Sequence, residues 1–248
     1  MSTEDLLGLA IPVAFFFMLA VELFRPARQF PRVKLWRLVG VVFLVVVMAV
    51  NIALPLVLPI EWMQRHRLFD GTRLGTVGGV IAGYLVTSLL GYLWHRAEHR
   101  FHFLWRWFHQ MHHSPTRMDL SGVFFFHPFD VVSQIVWSFV AGVLILGLTP
   151  LAAALTGTVA AFYALFQHWN IATPRWLGFL IQRPESHCLH HERDVHARNY
   201  SDLPLWDMLF GSFHNPATFA GEVGFAPAEA RRVGAMLLGR DVTAPPLS

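Results

Sequence analysis

The sequence predicts an all-α membrane protein: a multi-pass bundle of about four to five spanning helices with a histidine-rich helical cap on its cytosolic side. Hydrophobic residues make up 54% of the 248 residues and charged residues 14%. With a mean hydropathy of +0.45, the chain is too apolar for an ordinary soluble domain. Its apolar runs have the length of membrane spans, and histidines recur between them at helical spacings. We expect one integral membrane domain over residues 1–248.

The spanning helices follow from four apolar runs. The first three predict one helix each: Leu6 to Phe24, Leu35 to Pro59 and Thr76 to Trp94. The fourth run, Val131 to Phe166, is too long for a single span and is interrupted by Gly147 and Pro150. Because glycine and proline break helices, this run predicts a hairpin of two helices.

Basic residues set the expected orientation of these spans. The connection between the first two spans holds the larger group: Arg25, Arg28, Arg32, Lys34 and Arg37. The next connection holds a smaller one: Arg65, Arg67 and Arg73. Since cytoplasmic loops carry the excess of lysine and arginine, we place the first connection in the cytosol. The later spans then return the chain to that side, where residues 95–128 and 170–248 would form the cap of a protein in the bacterial inner membrane or the endoplasmic reticulum.

The charge pattern argues against a nucleic-acid partner. The net charge of +3 comes largely from arginines at helix ends. A nucleic-acid site would instead show a basic stripe with exposed aromatic residues. We therefore expect the basic residues to lie at the membrane surface.

Eight of the 14 histidines lie in three clusters with spacings of three and four. The clusters are His95 with His99, then His109, His112 and His113, then His187, His190 and His191. A stated pattern of three histidines should arise by chance roughly 0.04 times in such a chain, yet HxxHH occurs twice. On helices each cluster would occupy one face, as side chains that converge on a common metal ion would do.

Two further histidines are candidate ligands, which brings the set to ten. His127 precedes Pro128, and His168 lies at the predicted cytosolic end of the last span, where burial would require a partner. Because a first-row metal takes roughly four to six ligands, the set implies two ions. Imidazole alone is compatible with zinc, copper, iron or nickel. The uncompensated charge predicts nearby carboxylates, and those within reach are Glu98, Asp130, Glu192, Asp194, Asp202 and Asp207.

The sequence also predicts the locations of the remaining histidines and of the single cysteine. We expect His102, His196 and His214 to support the centre from outside or to be exposed, and His66 to lie on the opposite side of the membrane. A single cysteine, Cys188, allows neither an intrachain disulfide nor a cysteine metal site. Its offset from His187 favours packing as a small residue.

These motifs resemble the fatty acid hydroxylase superfamily, in its sterol desaturase branch. The resemblance covers about residues 75–213 and follows motif order and spacing: WHRAEH at 94–99, HQMHHS at 109–114, HP at 127–128, QHWN at 167–170, HCLHH at 187–191, NY at 199–200 and WDMLFG at 206–211. One departure is Ser201, where the family often has glycine after the Asn-Tyr pair.

The resemblance implies a non-haem di-iron oxygenase that hydroxylates or desaturates a C–H bond of a sterol, a fatty acyl chain or an isoprenoid lipid with O2. It implies ten ligands to two iron ions, for which zinc could substitute: His95, His99, His109, His112, His113, His127, His168, His187, His190 and His191. The chain has no nucleotide-binding fingerprint. Electrons would therefore come from a separate ferredoxin, cytochrome b5-like protein or flavin reductase.

Two other functions are conceivable for the same histidines. A di-zinc membrane hydrolase would use a metal-bound water to attack an ester or amide and would need no electron donor. A metal transporter would carry its ionisable residues at mid-membrane depth. The predicted histidines instead gather at one interface, which disfavours transport.

Overall fold

The chain folds into helices and loops. The computed structural model describes residues 3–243 and their side chains from Leu6 onward. The ends of the predicted domain, including residues 244–248 of the cap, lie outside the described residues. Within the described part there is no β-strand, only one isolated antiparallel bridge between Glu192 and Val223. The prediction of an all-α fold is confirmed.

Five helical segments are long and apolar enough to cross a membrane. They are Leu6–Phe24, Trp36–Leu56, Gly71–Arg100, Pro128–Ile145 and Pro150–His168. The long apolar run is a helical hairpin, as predicted. Its break contains Gly147 in the left-handed region at φ +58°, and the Thr149 hydroxyl caps the next helix by accepting a hydrogen bond from the Ala152 N–H at 3.2 Å. Pro150 follows at the first helical position, where its missing N–H costs nothing.

The longer helices belong to these segments, and shorter ones build the cap. The long helices are α1 (Thr3–Phe24), α2 (Trp36–Ala53), α4 (Gly75–Arg100), α7 (Pro128–Phe139, continued by a π-helical segment Val140–Ile145) and α8 (Pro150–His168). The short helices are α3 (Ile60–Arg65), α5 (His102–Leu104), α6 (Gln110–His113), α9 (Pro184–His190), α10 (Pro204–Phe210), α11 (Pro227–Ala230) and α12 (Val233–Leu237). A π-helical turn, Trp105–His109, joins α5 to α6, and 3-10 segments occur at Leu54–Leu56, Gly71–Leu74, Leu120–Gly122 and Arg175–Phe179.

Close packing of α4 against α8 forms the centre of the bundle. Gly79 and Gly83 lie on the contact face of α4, where a Cβ at Gly83 would come within 2.5 Å of the Thr156 hydroxyl oxygen. Small residues at this spacing let two helices approach closely. The contact fixes the ends of α4 and α8, and both ends carry histidines.

The first helix attaches to the cap through a buried carboxylate. Glu22, near the end of α1, is 6% exposed and accepts hydrogen bonds from the backbone N–H groups of Leu120 (3.0 Å) and Asn170 (2.9 Å). Phe15, Leu120 and Leu165 pack in one apolar cluster beside it. Because Asn170 follows His168 closely, this attachment lies next to the histidine-rich segments.

Candidate metal centre

Nine of the ten candidate ligands meet in two groups. The first group contains His95, His99, His109, His113 and His190, and the second contains His112, His168, His187 and His191. Within each group, one nitrogen from every imidazole lies within 4.8 Å of the corresponding nitrogens of the others. Seven of the nine side chains are buried, while His95 and His99 are half-buried. The two groups adjoin, because the rings of His113 and His191 stack with their centroids 3.9 Å apart.

Each HxxHH triad is divided between the two groups. On α6 and the turn before it, His109 and His113 belong to the first group, while His112 belongs to the second. On α9 the division is reversed: His190 joins the first group, and His187 and His191 join the second. Consecutive helical residues point about 100° apart, so adjacent histidines belong to different groups. The prediction that each cluster shares one face holds for His95 and His99 only.

The facing nitrogens have the spacing of ligands to a common ion. The Nε2 atoms are 3.2 Å apart between His95 and His99, and 3.1 Å apart between His109 and His113. His168 and His187 repeat this arrangement in the second group at 3.2 Å. Two nitrogens bound to one metal at about 2.0–2.1 Å would lie about 2.8–3.4 Å apart in octahedral or tetrahedral geometry. The donor set therefore fits a pair of metal ions.

Backbone carbonyls fix the orientation of three of these imidazoles. The Nδ1 atoms of His95 and His190 donate to the carbonyl oxygens of Tyr200 and Arg198, both at 2.6 Å. His168 Nδ1 donates to the Ala164 carbonyl at 2.9 Å. A carbonyl can only accept, so each of these rings carries its proton on Nδ1 and presents an Nε2 lone pair to the centre. These lone pairs are available to a metal ion.

Burial keeps the imidazoles neutral, which is the form that binds metals. Loss of hydration lowers the pKa of His109 to about 3, and it lowers the pKa of His112 well below its ordinary value. The same cause, with repulsion from neighbouring histidines, lowers the pKa values of His113, His187 and His191. Among the described residues, three buried imidazole nitrogens have no hydrogen-bond partner: His112 Nδ1, His190 Nε2 and His191 Nε2.

Two of the expected carboxylates lie beside the first group. Asp130 Oδ2 is 3.2 Å from His109 Nδ1, Glu98 Oε2 is 3.4 Å from it, and all three side chains are buried. These three residues could also hold an ion themselves. Asp207 acts through the backbone. It accepts hydrogen bonds from the N–H groups of Tyr200 and Ser201, and so holds in place the Tyr200 carbonyl that orients His95.

Sequence reasoning did not identify the loop that supplies the carbonyls of Arg198 and Tyr200, which orient His190 and His95. Four residues in it that are not glycine, Asp194, His196, Arg198 and Asn199, have positive φ between 41° and 69°. Such conformations cost free energy and persist where surrounding contacts enforce them. Here the Asn199 amide donates to the carbonyls of Ser186 and His214. Because backbone groups do the orienting, no side-chain pattern signals this role, although Asn199 and Tyr200 belong to the quoted motifs.

The other histidines lie outside both groups. His127 caps α7: its Nδ1 accepts from the Phe129 N–H at 3.2 Å, and its Nε2 donates to the Leu237 carbonyl at 3.4 Å. His196 Nδ1 is 3.0 Å from His113 Nδ1 and so supports a candidate ligand. His102 contacts Asp241, and His66 contacts the carbonyl of Trp62 in α3.

Aromatic rings cover the centre, and a small cavity reaches its second group. Phe126 stacks on His112 at 4.3 Å, Trp105 lies 5.3 Å from both His99 and His113, and Tyr200 packs beside His95. The cavity is lined by His112, Pro115, Arg117, Met118, Asp119, Gly122, His168 and His191. The aromatic rings place apolar surface directly against the histidines of both groups.

Comparisons with known proteins agree with this geometry. The fatty acid hydroxylase family model matches residues 80–212, which include all nine grouped histidines. The chain is also similar to the ornithine lipid hydroxylase OlsE of Rhizobium tropici, with 32% identity over 142 residues, or 55% of this chain and 42% of that protein. The match thus spans less than half the length of that relative. No solved structure matches the chain significantly. The sterol desaturase branch stays a prediction.

Proposed function

The chain belongs to the fatty acid hydroxylase family, and from this we propose that it is a membrane-bound lipid hydroxylase with a non-haem di-iron centre. It would use O2 and external electrons to hydroxylate a C–H bond of a lipid or to desaturate the lipid. The overall hydroxylation consumes O2, two electrons and two protons for each C–H bond converted to C–OH, and it releases one water.

The observation that carries the proposal is the pair of adjoining all-imidazole groups at the ends of α4 and α8. Nine imidazoles with neutral, converging nitrogens exceed what one ion can bind. The nine grouped histidines are the proposed ligands. His127 is left out of the set because both of its nitrogens are hydrogen-bonded within the protein.

Two iron ions held by these histidines would supply the redox chemistry that activates O2. The protein itself orients the ligands and excludes water. The carbonyls of Tyr200, Arg198 and Ala164 fix three ring orientations, and Asp130 accepts from His109. Phe126 and Trp105 cover both groups with apolar surface, which protects a reactive oxidant from side reactions.

The substrate would come from the bilayer and the electrons from the aqueous side. The histidines lie where spanning helices meet the cap, so an apolar chain can approach without crossing water. The ornithine lipid hydroxylase named among the relatives makes polar membrane lipids the first substrates to test. A ferredoxin, a cytochrome b5-like protein or a flavin reductase would serve as the electron donor. The expected orientation puts the centre on the cytosolic side, where such donors occur.

The test uses the full chain in lipid nanodiscs, loaded with ferrous iron and supplied with ferredoxin, its reductase and ¹⁸O2. We expect ¹⁸O to appear in a membrane lipid by mass spectrometry, or two hydrogens to be lost, and we expect all turnover to stop without O2. A di-zinc hydrolase would turn over anaerobically and incorporate oxygen from water. Either of those results would refute the proposed oxygenase.

A further inference from the structure

The cap carries exposed apolar side chains that no spanning helix accounts for. They come from α10 and from the segment that begins at Arg175, and we call them the cap patch: Trp176, Phe179, Leu180, Leu205, Leu209 and Phe210. Leu209 is 65% exposed and Trp176 is 63% exposed. Contiguous apolar surface of this kind marks an interaction site. We propose that the cap patch is embedded among the acyl chains of the leaflet next to the cap, as a second membrane contact besides the spanning helices.

The depth of α10 along α4 supports this assignment. The Trp206 indole N–H donates to the Ser88 hydroxyl at 2.9 Å, and Phe210 stacks on Tyr92 with ring centroids 5.2 Å apart. At 1.5 Å per residue, Ser88 and Tyr92 lie about 18 and 12 Å before the end of α4 at Arg100. Both belong to the membrane-spanning segment. Helix α10 therefore lies beside the span and not beyond its end.

The charges of α10 are arranged for a lipid environment. Its one charged residue, Asp207, is fully buried and accepts hydrogen bonds from the N–H groups of Tyr200 and Ser201 and from the Ser212 hydroxyl. The outer surface of α10 therefore carries no charge. Arg175, at the edge of the patch, is exposed and could reach lipid headgroups.

Acyl chains are the occupant because the patch continues a lipid-facing surface. Leu85 and Leu93 of α4, on the turns beside Ser88 and Tyr92, are exposed apolar side chains of a spanning helix. The segment from Arg175 packs against α10, which extends this surface sideways. Through Asp207 and Tyr200, the embedded helix is also connected to His95 of the first histidine group.

Site-directed spin labelling tests the proposal on the full chain in vesicles of phosphatidylcholine and phosphatidylglycerol. The only cysteine, Cys188, is 6% exposed, so Cys188→Ala gives a clean background, and the natural chain serves if that variant is unstable. Nitroxides are placed through Leu209→Cys and, independently, Trp176→Cys. Phe17→Cys on the exposed face of α1 is the bilayer reference, and Glu222→Cys, whose native side chain is 77% exposed, is the aqueous reference.

Collision with O2, which concentrates in lipid, is compared with collision with chromium oxalate, which stays in water. We expect positions 209 and 176 to resemble position 17, with high O2 and low oxalate accessibility. Accessibility to oxalate like that at position 222 would show that water covers the patch and would overturn the proposal. Low accessibility to both reagents, with spin–spin broadening, would show that a second copy of the chain covers it and would overturn it equally.

Discussion

His190 contacts three other candidate ligands of the first group. Its ring lies 4.6, 4.8 and 4.7 Å from those of His95, His99 and His113, and its Nε2 is buried without a hydrogen-bond partner. We expect His190→Ala to lower the iron content measured by mass spectrometry and to abolish lipid hydroxylation, because the lost nitrogen cannot be replaced by water in so buried a site.

His66 gives the matched control. It is exposed in the connection between the second and third spans, which the expected orientation places opposite the cap, and its Nδ1 contacts the Trp62 carbonyl. His66→Ala should keep iron content and turnover near those of the natural chain. Retention of all iron by purified His190→Ala protein would contradict the assignment of His190 as a ligand.

Mutation of His196 tests whether a residue outside the proposed ligand set affects metal binding. Its Nδ1 lies 3.0 Å from His113 Nδ1 and so fixes which nitrogen of His113 faces the centre. We expect His196→Ala to weaken metal binding about 10- to 100-fold, the usual effect of removing such a partner. Competition with a chromogenic chelator measures the affinity. His214→Ala, at an exposed histidine, should leave it unchanged, and equal affinities in the two variants would remove His196 from the centre.

At the scale of helices, the contact of α4 with α8 depends on glycines whose neighbours leave no room. A Cβ at Gly83 would lie 2.5 Å from Thr156 Oγ1 and 2.9 Å from Leu148 Cδ1, so Gly83→Ala must push α8 away. We expect a loss of about 1–3 kcal/mol in the free energy of unfolding, followed by thermal unfolding in detergent. A Cβ at Gly91, on the same helix, would meet no atom within 4 Å, so Gly91→Ala should be neutral or slightly stabilising. Similar melting temperatures for both variants would refute this packing role.

The spanning helices were predictable from sequence, but their ends were not. Hydropathy predicted the third span from Thr76 to Trp94, whereas the helical segment runs from Gly71 to Arg100. The hydropathy signal stops at Trp94 because His95, Arg96 and His99 are polar, although the backbone continues as a helix. The apolar pattern reports what faces lipid, and the helix extends further because its last turns deliver two histidines to the centre.

The sequence predicted most of the residues that form the candidate centre, but it predicted less of their arrangement in space. Spacing found nine side chains that converge, yet it did not reveal that each HxxHH triad serves two groups. It also did not separate His168, which joins the second group, from His127, which caps a helix. That difference depends on long-range contacts: Leu237 lies 110 residues from His127, and its carbonyl accepts a hydrogen bond from the His127 Nε2–H.

At the scale of the whole molecule, the centre joins parts of the chain that are otherwise far apart. Its candidate ligands come from α4, the π-helical turn with α6, α8 and α9, and the first helix attaches beside it through Glu22. Glu22 precedes the family match, which begins at residue 80, whereas its partners Leu120 and Asn170 lie within it. Ions bound at such a junction would stabilise the native arrangement of the whole bundle, since the unfolded chain has no comparable site.

Removal of the metal should therefore destabilise the entire protein and not only its activity. At an ion concentration 100 times the dissociation constant, binding to one site stabilises the folded state by about 2.7 kcal/mol. For a chain of this size, we expect a chelator to lower the melting temperature by roughly 5–10 °C. Iron should restore it, while magnesium, which prefers oxygen ligands, should not. Calorimetry or near-ultraviolet circular dichroism of the detergent-solubilised chain measures the shift. An unchanged melting temperature after complete chelation would show that the histidines hold their positions without ions and would contradict this stabilising role.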